Sequence, residues 1–165
     1  MTMDFSLSGK PSDVDTAIHG TGDSRRTVAL SDILAPGVQL SQLSSIDLSG
    51  ALKIPPATII VHDTALDPNA LKGKPARHSS SQAGCYYELI VRQIAWTHHS
   101  FYHPILHVDF ALLDFGPQAI VRKQHRGFGE KSLSHFFARA PDTPQTRDDE
   151  LREMFKADFL KFAGA

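Results

Sequence analysis

Cys85-Tyr86-Tyr87-Glu88-Leu89-Ile90-Val91-Arg92-Gln93-Ile94-Ala95-Trp96 is followed, after a polar connection, by Ile105-Leu106-His107-Val108-Asp109-Phe110-Ala111-Leu112-Leu113. The first stretch is rich in aromatic and β-branched residues and reads as a long strand. The second alternates: Leu106, Val108, Phe110 and Leu112 take one face, His107 and Asp109 the other. Asp114-Phe115-Gly116-Pro117 reads as a turn, and Ala119 to His125 as a third strand. Strands joined by short connections predict an antiparallel meander.

Beyond the strands, the C-terminal stretch carries Leu151, Met154, Phe155, Phe159 and Phe162 on one helical stripe. Thr146 with Asp149 three residues later resembles a capping box, and Asp148, Asp149 and Glu150 suit the positive end of the helix dipole. Leu133 to Ala138 reads as a short helix capped by Ser132. Upstream, Ala57 to His62 reads as a strand, and Val38 to Lys53 as a helix weakened by its serines and Gly50. Thr27 to Leu30 reads as a short strand. Residues 63–84 hold Pro68, Gly73, Pro75 and three consecutive serines, long for a plain loop. Residues 1–26 carry few large apolar side chains.

The expected fold is therefore α+β: an antiparallel β-meander of four to five strands with two to three helices, mostly on one face. The C-terminal amphipathic helix packs on the sheet. The expected organisation is a flexible or loosely docked N-terminal arm over 1–26 and a single α+β domain over 27–165. The order of elements is similar to that of small α+β domains of cell-envelope assembly proteins and transporter-associated lipoproteins, with no motif residue to carry over. That resemblance implies a binding or assembly role.

Composition narrows the classes. The 165 residues carry 17 Lys+Arg against 18 Asp+Glu, a net charge of −1, which excludes a global polycation and an acidic solvating tail. A single cysteine excludes an internal disulfide framework and a four-cysteine zinc site within one chain. Cys85 lies in a strand-like run with nothing cationic beside it, the setting of a structural thiol. The chain starts without the charged and apolar regions of a secretory signal. Met1 as a native start places it in the cytoplasm; a start left by removing a signal places it in the cell envelope. No apolar run reaches the roughly 20 residues of a membrane helix.

Two groups of residues are candidates for chemistry. Of nine histidines, five lie between positions 98 and 125. His99, His103 and His107 have helical spacing, but Pro104 breaks a helix there. His107 and Asp109, two apart on a strand, project together and can chelate a divalent metal or act as an acid–base couple, with His62, His99 and His103 as further ligands. The plainer reading is a polar hairpin tip and a solvated strand face, since the spacing matches no named metal motif. The second group is basic: Lys72, Lys74 and Arg77 in the long loop, and Arg122, Lys123 and Arg126 on the third strand. Folded together they would attract phosphates or an acidic partner; read plainly, they guard a strand edge.

The favoured function is a non-enzymatic binding or assembly module acting through loop 63–84, the exposed sheet face or an edge strand. Its expected partner is a protein or a second copy of the chain, with nucleic acid or another polyanion the weaker reading. The alternative is a small histidine-based enzyme using the His107/Asp109 face. No cofactor is expected for the module; a divalent metal belongs to the alternative.

Overall fold

The computed structural model describes residues 2–8, 33–55, 58–66, 76–77, 86–97, 105–115, 119–126, 133–135 and 144–164. In chain order these form β1 (Thr2–Ser8), α1 (Pro36–Ser44), α2 (Leu48–Leu52), β2 (Thr58–Leu66), β3 (Tyr86–Thr97), β4 (Ile105–Phe115), β5 (Ala119–Arg126) and α3 (Pro144–Gly164). The chain is mixed helix and strand, α+β-like, with α3 packed on the antiparallel strands.

The strands are ordered β2-β1-β3-β4-β5. From β3 onward the pairing is antiparallel, as the meander predicts. On the other side it is not: β1 lies between β2 and β3 and is parallel to both. The sheet is therefore mixed, which corrects the all-antiparallel expectation. Residues 2–8 form a strand hydrogen-bonded between β2 and β3; residues 9–26 lie outside the described residues.

Parallel neighbours cannot be joined by a hairpin and need a crossover of a dozen or more residues. The connection from β1 to β2 carries α1 and α2 over the core face. The connection from β2 to β3 must return along the sheet past β1, and Arg77 within it lies against the opposite face. The length of the segment after β2 is thus a requirement of topology.

The core lies on the helical face. Tyr87, Leu89, Val91 and Ile94 of β3 and Leu106, Val108, Phe110 and Leu112 of β4 meet Leu43, Leu48 and Leu52 of α1 and α2 and the apolar stripe of α3. The step from odd to even positions on β3 has a cause. Val91 pairs with Phe110 and Gln93 with Asp109, so Arg92 is an extra residue in a β-bulge that switches the strand's facing.

Helix α3 buries Leu151, Phe155, Phe159 and Phe162, with Met154 partly buried beside them. Three of its rings surround Phe110, at centroid separations of 5.6 Å for Phe155, 5.5 Å for Phe159 and 5.3 Å for Phe162. The helix begins at Pro144, so Thr146 lies inside it and does not cap it. Glu150 reaches outward instead: its Oε1 and Oε2 accept the backbone N–H groups of Ser134 and His135 at 2.5 and 2.8 Å. That contact holds the segment carrying Leu133 against the core. Leu133–His135 is not helical, contrary to expectation, and residues 136–138 lie outside the described residues.

The helix predicted over 38–53 is two helices. Pro36 at the first turn and the Ala35 carbonyl, which accepts from Val38 and Gln39 at 2.8 and 3.0 Å, start α1. Ser44 and Ser45 hydroxyls donate back to the Ser41 and Gln42 carbonyls, at 3.0 and 2.7 Å, competing with the helical ladder where it stops. Asp47 then caps α2, its Oδ1 accepting from Gly50 N–H at 3.0 Å. A Cβ at Gly50 would collide with that carboxylate. Lys53 closes α2 in the left-handed region, at φ 54°.

The remaining differences are small. The turn expected at Asp114 begins later, since β4 continues through Phe115. Cys85 and the strand expected over Thr27 to Leu30 lie outside the described residues.

Candidate functional site

The face of the sheet away from the helices holds the candidate chemistry. On β4 it presents His107, Asp109, Ala111, Leu113 and Phe115 in succession, which follows from the two-residue period. His107 and Asp109 are half-buried, while Leu113 and Phe115 are buried. The structure therefore places His107 and Asp109 side by side, as the alternation predicts. In register His107 stands beside Ala95, and Asp109 stands between Gln93 on β3 and Arg126 on β5.

His62 is placed elsewhere. It lies on the edge strand β2, in register with Ser6, then Ile90, then Ala111. From His107 that is three strand spacings across and four residues along, about 19 Å between Cα positions. Metal–ligand bonds are about 2 Å, so the topology separates His62 from the His107/Asp109 pair. His99 and His103 lie outside the described residues. Among the described residues no group of three or more histidine, cysteine or acidic side chains is arranged to hold a metal ion.

His62 has a different neighbourhood. It lies in the middle of β2, and just past it the register with β1 shifts: Ser6 pairs with His62, and Ser8 with Leu66.

The basic candidates divide as well. Lys72 and Lys74 lie outside the described residues. Arg122, Lys123 and Arg126 are on the edge strand β5. Val121 pairs with Leu113 and Lys123 with Leu112, which leaves Arg122 as an extra residue in a bulge. A bulge and basic residues on an outer strand are the usual protection against edge-to-edge pairing. Arg77 is exposed, and its guanidinium carbon lies 4.7 Å from the ring centroid of Tyr86 and 5.8 Å from that of Phe115.

That contact is part of a cluster that sequence reasoning missed. Tyr86 and Phe115 stack at 5.0 Å, on neighbouring strands at one end of the sheet. Tyr86 Oη donates to Glu88 Oε1 at 3.3 Å, and Glu88 is fully buried. Ile90 and Leu113 complete the apolar surround. An arginine over two stacked rings is held by cation–π attraction, which fixes the plane of its guanidinium. The available signal was the run Tyr86 to Val91, apolar at nearly every position, which marks a strand buried on both faces. A charged Glu88 within such a run marks a place where the second face is polar inside.

No helix among the described residues is long and apolar enough to cross a membrane. No protein-family model, curated protein or solved structure matches this chain.

Proposed function

We propose that this chain is a non-enzymatic binding or assembly module. Its contacts run through the 63–84 segment, the sheet face away from the helices or an edge strand. The observation that carries the reading is Arg77, an exposed guanidinium oriented by two aromatic rings. Arginine and aromatic residues in contact are the groups most enriched where proteins meet proteins. Arg122, Lys123 and Arg126 add positive charge along an outer strand of the same sheet. The partner that fits is a protein presenting carboxylates, with a nucleic acid or other polyanion as the competing source of negative charge.

Retention of the full chain on immobilised poly-glutamate and on heparin tests the reading. At about 50 mM salt the protein should be held on poly-glutamate and released as salt rises through a few tenths molar, since exposed charges are then screened. Replacing Lys72, Lys74 and Arg77 together by Ser should move elution to lower salt while the protein stays folded, with a stability loss of no more than about 2 kcal/mol from the cation–π contacts of Arg77. Stronger retention on heparin assigns the surface to polyanions. Flow-through on both at low salt would refute the reading.

One observation favours a second reading, a small histidine-based enzyme. His107 and Asp109 are adjacent and half-buried on one face, where a carboxylate can orient an imidazole. Stoichiometric zinc, iron or manganese in protein purified without a histidine tag would support it over the binding module.

A further inference from the structure

We draw no further inference here: the strongest candidate, the register pair of acidic residues Asp4 on β1 and Glu88 on β3, beside Tyr86 on the sheet face away from the helices, is an acidic cluster with no second observation that points to a ligand.

Discussion

Replacing Phe159 by alanine removes a ring that is completely buried and packs edge-on against Phe110 at 5.5 Å. Transfer of such a side chain from core to water accounts for roughly 1.5–3 kcal/mol. The ring contacts with Phe110 and with Phe162, at 6.2 Å, add about 0.5–1.5 kcal/mol, and the cavity left behind adds more. The expected loss is about 3–5 kcal/mol, a large part of the roughly 5–15 kcal/mol that holds a domain folded. With a urea dependence of about 2 kcal/mol per molar, the midpoint should fall by about 1.5–2.5 M. Leu160, the next residue and 47% exposed, supplies the control: Leu160→Ala should change stability by less than about 0.5 kcal/mol. A loss under about 1 kcal/mol for Phe159→Ala, or equal effects at both positions, would refute the packing of α3 on β4.

Two further outcomes follow from local geometry. Lys53→Gly should raise stability by about 0.5–1 kcal/mol in the same assay, because the residue closing α2 sits at φ 54° and only glycine occupies that region without steric cost. Glu150→Ala should lower stability by about 1–2 kcal/mol, since two backbone N–H groups lose a charged acceptor; Glu150→Gln, which keeps one good acceptor oxygen, should lose less.

The antiparallel half of the sheet was legible because its signals are local. The alternation Leu106, Val108, Phe110, Leu112 names the buried face of β4, and the stripe from Leu151 to Phe162 names that of α3. The His107/Asp109 pair was legible for the same reason. The parallel half was not. Met3, Phe5 and Leu7 do alternate with Thr2, Asp4, Ser6 and Ser8, a strand signal in a stretch otherwise poor in large apolar residues. What no local pattern contains is that β1 finds its partners at residues 58–66 and 86–91, on both of its sides. The separation of His62 from His107 is a consequence of the same insertion, because β1 stands between the strand of one and the strands beside the other.

Arg77 and Glu88 were hidden by the same limit. Arg77 read as one more cation in a basic loop, and its place over Tyr86 and Phe115 depends on the crossover from β2 passing that face. Glu88 read as a polar position in a strand, and its burial depends on both faces of β3 being covered. Likewise, the bulge at Arg92 breaks the alternation of β3, so its buried face could not be followed from Val91 to Ile94 by period alone.

The mixed sheet depends on the first strand of the chain lying inside it. Amide hydrogen exchange read residue by residue tests it most directly, because protection reports whether a backbone N–H is held in a ladder. The amides of β1, bonded to β2 on one side and β3 on the other, should exchange orders of magnitude more slowly than an unstructured peptide, in the range of the β3 amides. Exchange of residues 3–7 at the rate of a free chain, with β3 and β4 still protected, would contradict the mixed sheet.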